Sequence, residues 1–183
     1  MKFEYGLKEN SEQECNNSYI KIKSSSLTQR LILGLILGIV ISSIFSFLIN
    51  IIFFNNSIDI HFYRYLYLIL ILIPVHELLH IIFLPKPSKA IIGLSFKYLI
   101  FYVKYENDIT RNRLLLITIM PFIILSILPI FLLSITQSIL IVYIILFNVI
   151  ASGVDLLSLY LIAKLPKGII LKMSGNDLYY RKP

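Results

Sequence analysis

The stretch Pro74-Val75-His76-Glu77-Leu78-Leu79-His80 lies inside an apolar run from Tyr65 to Leu84, and the other segments take their meaning from it. A run of that length and polarity predicts a membrane-crossing helix. Each helical residue turns the chain by about 100°, so His76 and His80, four apart, stand one turn above each other on one face, with Glu77 beside them. Two imidazoles so placed can grip one Zn²⁺, and the neighbouring carboxylate can serve as general base. Ionisable groups are costly in hydrocarbon, so Glu77 between two histidines at membrane depth points to function. The alternative is that these side chains only pack as polar groups between helices or snorkel to the interface.

Composition agrees with a bilayer setting. Of 183 residues 57% are hydrophobic and only 15% charged, and the mean hydropathy is +0.82, which excludes an ordinary soluble domain. The net charge of +7 does not indicate nucleic acid, because the basic residues are scattered among loops beside apolar spans and form no single stripe. Cys15 is the only cysteine, so neither an intramolecular disulfide nor a thiolate metal cluster is available.

On the N-terminal side, Leu31 to Phe54 is a 24-residue run without a charge and reads as a first span. It starts too late and runs too long for a cleaved signal peptide. Before it, residues 1–30 form a polar tail, with a short strand expected at Tyr19 to Lys23 and a linker at Ser24 to Ser26. The link Asn55 to Arg64 holds His61, which reads as a solvated loop residue because a metal ligand needs convergent partners. Within the second span, Pro74 removes the backbone bond to residue 70, so a kink beside the histidines is expected.

On the C-terminal side, the loop Lys86 to Arg113 carries a β-branched and aromatic stretch, Gly93 to Tyr105, expected to form one or two strands at the membrane surface. Leu114 to Ile135 reads as a third span, bent by Pro121 and Pro129. The short link Thr136-Gln137-Ser138 forces an antiparallel hairpin with a fourth span, Ile139 to Ala163. The tail 164–183 suggests a β-hairpin from Gly168 to Met173 and Leu178 to Arg181. The expectation is therefore an all-α membrane protein with four transmembrane helices and a small cytoplasmic-side β element. Residues 31–163 form the membrane domain, between cytoplasmic tails 1–30 and 164–183. Sixteen of the 17 lysines and arginines fall on one side of this plan, which places both termini and the long loop in the cytoplasm.

A catalytic zinc takes three protein ligands and keeps a position for water, so two histidines need a third partner. Asp155 is the other ionisable group in a span. At 1.5 Å per residue it lies about 13 Å from the cytoplasmic end at Lys164, and His76 lies about 13 Å from Pro85, so the two share a level. Asn148, Ser152 and Asp155 follow i, i+4, i+7 spacing and share a face. Asn148 and Ser152 could hold a substrate peptide group, orient a ligand, or make ordinary interhelical hydrogen bonds.

A membrane-embedded His-Glu-Leu-Leu-His in an early span and Asp155 in a late one resemble the site-2-protease type of intramembrane metalloprotease. The four-span plan, with Ser152-Gly153-Val154-Asp155 in the last span and a Lys/Arg-rich loop, resembles a family of bacterial membrane proteins labelled zincin peptidases. Where site-2 proteases carry Asn-x-x-Pro followed by Leu-Asp-Gly, this chain keeps Asn148 and Asp155 without the proline and without that order. The function expected is zinc-assisted hydrolysis of peptide bonds in membrane or membrane-proximal substrates. His76, His80 and Asp155 would be the ligands and Glu77 the general base. The partners expected are the lipid bilayer and a membrane-protein or peptide substrate, with no nucleic acid. The competing reading is a non-catalytic membrane protein that binds metal or relays protons, such as a transporter subunit, an immunity factor or a scaffold.

Overall fold

The computed structural model describes residues 2–5, 19–22, 26–55, 61–85, 90–95, 100–105, 107–174 and 177–181. Cys15, Ser24 and Ser25 lie outside these. Helix α1, Leu27–Phe54, starts on a capping box: Ser26 Oγ accepts from Gln29 N at 3.3 Å, and Gln29 Oε1 accepts from Ser26 N at 3.1 Å. It stops at Asn55, whose left-handed backbone (φ 48°) ends the ladder.

The motif helix is shorter than the apolar run that announced it. Residues Phe62–Tyr65 form a 3₁₀ turn, and α2 occupies only Leu68–Ile82, running through Pro74. Fifteen residues rise about 22 Å, less than the roughly 30 Å of a hydrocarbon core. The third apolar segment is α3, Arg111–Phe122, a π turn at Ile123–Ile127, and α4, Leu128–Thr136. Gln137, with φ 47°, closes α4 and starts the tight link to α5, Ile139–Ala151, and α6, Gly153–Ala163. The last segment is broken: α5 and α6 bend by 50° at Ser152. Among the described residues, two helices are long and apolar enough to cross a membrane, Leu27–Phe54 and Arg111–Thr136, and three if the bent pair is one span. Their outer faces suit lipid, with Ile36, Val40, Phe47 and Ile52 all more than half exposed.

Helix α1 lies along α5 and α6, while α2 sits against α3 and α5, and α3 against α6. The α1–α6 crossing is set by glycine. Gly34 and Gly38, one turn apart on α1, meet Gly153 and Ile150, and a Cβ on Gly153 would collide with the backbone of both α1 glycines. Such small-residue contacts let helix backbones approach closely.

Strands occur in the long loop, in the tail and near Ile20, where they were expected, and also at Lys2–Tyr5 and Ile109–Thr110. Strands β3, Ala90–Ser95, and β4, Ile100–Tyr105, form an antiparallel pair, and β1, Lys2–Tyr5, adds in parallel to β3. A second, antiparallel sheet runs in the order β2–β7–β6–β5, made of Ile20–Lys21, Asp177–Arg181, Ile170–Ser174 and Ile109–Thr110. Because β5 leads directly into α3 and β6 follows α6, this sheet is joined to one end of the bundle. Leu84, Ile109, Leu114, Ile117, Ile162, Ile169 and Leu171 form the core there. Arg111 fastens the same end, its guanidinium donating to the Ile162 carbonyl at 3.2 Å and to the Ala163 carbonyl at 2.6 Å, the open C-terminus of α6.

Candidate metal centre

Helix α2 places His76 and His80 on the face it turns toward α3 and α5, with ring centroids 5.0 Å apart. Asp155 enters from the first turn of α6, just past the bend. Its Oδ2 lies 2.8 Å from His76 Nε2 and 3.4 Å from His80 Nε2. The three ligand atoms all fall within 4.8 Å of one another. Ligand atoms held about 2.0–2.1 Å from a tetrahedral zinc stand roughly 3.3 Å apart, and the two edges at Asp155, 2.8 and 3.4 Å, bracket that spacing, so the triangle could hold such an ion.

The remaining ring nitrogens show how each imidazole is oriented. His80 Nδ1 is 2.9 Å from the carbonyl of Ile117, which can only accept, so Nδ1 carries the hydrogen and donates it. His76 Nδ1 is 2.8 Å from Asn148 Oδ1. The amide orientation of Asn148 is fixed in turn, because its Nδ2 donates to the Pro121 carbonyl at 3.2 Å and to Ser126 Oγ at 2.8 Å. Oδ1 therefore faces His76, and His76 Nδ1 is also the donor. Both rings aim Nε2 at Asp155, the arrangement in which a second partner holds a metal-ligating histidine.

The π turn contributes to this. The Pro121 backbone carbonyl and the Ser126 hydroxyl, five residues apart, both accept from Asn148 Nδ2. Within the π turn the N–H of Leu128 bonds to Ile123, five residues back, which widens the helix locally. Ser126 is fully buried, and so is Ser152, whose Oγ lies 3.4 Å from Asn148 Nδ2.

Exposure rises across the triangle, from 6% of the His76 side chain to 12% for His80 and 23% for Asp155. The triangle is therefore most enclosed at His76 and least enclosed at Asp155. Glu77 is half-buried, and its carboxylate is near enough to both imidazoles and to Asp155 to feel their charge. His61 stands apart, before the 3₁₀ turn, with its ring 5.6 Å from Tyr63.

Thus the structure brings together His76, His80 and Asp155, and sets Asn148 and Ser152 behind them. Sequence reading missed Ser126 and the Ile117 carbonyl. The available signal is Pro121 itself, a proline four residues after Ile117. The Gly34-x-x-x-Gly38 pattern was likewise present in the sequence.

A mostly helical, apolar chain with a histidine, histidine and aspartate triangle has the donor set of a zinc metallopeptidase. Comparison with family profiles agrees: residues 69–170 match the family described as "Putative zincin peptidase". That is more than half of the chain and includes all three donors, and the protein belongs to this family. No curated protein and no solved structure matches the chain.

Proposed function

We propose that this protein is a membrane-embedded zinc metallopeptidase of the His-Glu-x-x-His type, acting on peptide bonds of membrane or membrane-proximal substrates. The observation that carries this reading is the convergence of His76 Nε2, His80 Nε2 and Asp155 Oδ2, with each imidazole anchored through its other nitrogen. These three residues would hold Zn²⁺, which when bound acidifies a water and polarises a carbonyl. The Glu77 carboxylate takes a proton from the attacking water and returns it to the leaving amine. Asn148 is 1% exposed and its amide is occupied by protein partners, so its role is to orient His76 and it does not grip substrate.

In the bilayer, α1, the α3–α4 segment and the bent α5–α6 pair make three crossings. The fourth is α2, lengthened by the turns from Phe62 to Tyr67 and by Phe83 and Leu84. The sixteen-to-one distribution of basic residues supports both termini on the cytoplasmic side. A helical substrate hides its peptide bonds in its own hydrogen bonds, so an extended segment must form before cleavage. Strand β4 has one hydrogen-bonded neighbour among the described residues, β3, and lies against α2. Its edge suits pairing with such a segment.

The test is metal content. Protein purified in detergent should hold about one zinc per chain. His76→Ala and His80→Ala should each lose it, and unchanged metal in both variants rejects the site.

A further inference from the structure

We propose that Pro121 is a positioning residue for both imidazoles of the metal centre, acting through the hydrogen it lacks and the carbonyl it keeps. This deepens the reading above and rests on it. In a continuous helix the N–H of residue 121 would bond to the carbonyl of residue 117. Proline has no N–H, so the Ile117 carbonyl lacks the i+4 donor that a regular α-helix would give it. A buried carbonyl must be satisfied, and here His80 Nδ1 satisfies it at 2.9 Å. The missing backbone bond thereby becomes the acceptor that selects the Nδ1–H tautomer of His80 and points its Nε2 at Asp155.

The carbonyl of Pro121 works on the other ring. It accepts from Asn148 Nδ2 at 3.2 Å, and Asn148 Oδ1 accepts from His76 Nδ1 at 2.8 Å. The two chains of contacts, Pro121 to Ile117 to His80 and Pro121 to Asn148 to His76, start from one residue that is itself fully buried. Pro121 occurs where a helix-breaking residue would ordinarily be a burden, and its one departure from a regular peptide unit, the missing N–H, is matched by His80, while its ordinary carbonyl serves His76 through Asn148. An ordinary membrane proline that merely bends its helix does not require either match.

The experiment compares wild type with Pro121→Ala, which restores an N–H able to take back the Ile117 carbonyl. The control is Pro129→Ala, which restores an N–H eight residues further along. Zinc affinity is measured by chelator competition, and ¹⁵N-histidine NMR of the zinc-loaded protein in micelles reports which ring nitrogen carries hydrogen. Pro121→Ala should bind zinc about 10–100-fold more weakly, the usual cost of removing a group that supports a ligand. The hydrogen-bonded Nδ1 proton of His80 should be lost or should exchange rapidly with water. Pro129→Ala should keep that proton. Zinc affinity within twofold of wild type in Pro121→Ala, with an unaltered His80 proton, overturns the proposal. If Pro121→Ala does not fold, wild type labelled with ¹³C at the Ile117 carbonyl decides: a contact from the His80 Nδ1 proton to that carbon supports the proposal and its absence overturns it. Should wild type bind no zinc through His76 and His80, the metallopeptidase reading itself has failed, a result distinct from an inert Pro121→Ala.

Discussion

His76 and Asn148 are 72 positions apart in sequence and their Nδ1 and Oδ1 atoms are 2.8 Å apart in the fold. The contact is completed on the far side of the amide by Ser126 and Pro121, so Asn148 is a rigid spacer between α3 and the ligand face of α2. Asn148→Ala should leave the His76 ring free to rotate. Zinc affinity should fall about 10–100-fold in a chelator titration, and an unchanged dissociation constant would remove Asn148 from the centre.

Enzyme and binder are separated by Glu77. The amide of Glu77→Gln keeps the shape of the side chain and cannot take a proton from water, so this variant should retain zinc and lose hydrolysis. Asp155→Ala should lose zinc itself, because a ligand is gone. The assay is cleavage of single-span membrane peptides co-reconstituted with wild type and both variants. Equal cleavage by Glu77→Gln defeats the mechanism proposed here. A wild type that binds zinc and cleaves no peptide in a wide panel favours the non-catalytic metal-binding or proton-relay alternative.

The crossing of α1 over α6 should tolerate no side chain. In Gly153→Val the added atoms would have to displace the backbone of Gly34 and Gly38, and overpacking of this kind costs about 1–3 kcal/mol. Gly153 is two residues from Asp155, so weakened zinc binding should accompany the loss of stability. Thermal unfolding together with metal content measures both, and a variant as stable and as metal-rich as wild type contradicts the packing described.

Topology is open to a direct check. Reporter fusions at residue 1 and residue 183 should both read as cytoplasmic, on the sixteen-to-one asymmetry of basic residues. Either terminus found outside would overturn the four-crossing reading and the common depth of His76 and Asp155.

The parts of the centre visible in the sequence are those that follow from local geometry. His76 and His80 are one helical turn apart in any helix. Asp155 could be paired with them because helical rise converts distance from a span's end into depth, and the structure brings its Oδ2 to both rings. The support for these ligands depends on departures from regular helix, which periodicity does not reveal. Ser126, which reaches Asn148, sits within the π turn. The bend at Ser152 arises where a Ser-Gly pair interrupts an apolar run with no proline to mark it. Tyr65 to Tyr67 are apolar enough to extend α2, yet they fall in the 3₁₀ turn and the turn after it. Strand β1 pairs with β3 across most of the sequence that separates tail from loop, a non-local contact that no short pattern announces.

The glycine contact between α1 and α6 also ties Asp155 to the tilt of a helix that carries no ligand. At 28 residues α1 is longer than a typical bilayer core requires, and such a helix adjusts to membrane thickness by leaning. In the membrane-embedded reading, leaning of α1 is transmitted through Gly34, Gly38 and Gly153 to the turn that presents Asp155, while His76 and His80 ride on a different helix. On that reading zinc affinity should depend on the acyl-chain length of the bilayer into which the protein is reconstituted, and an affinity independent of bilayer thickness would show that the tilt of α1 does not reach Asp155.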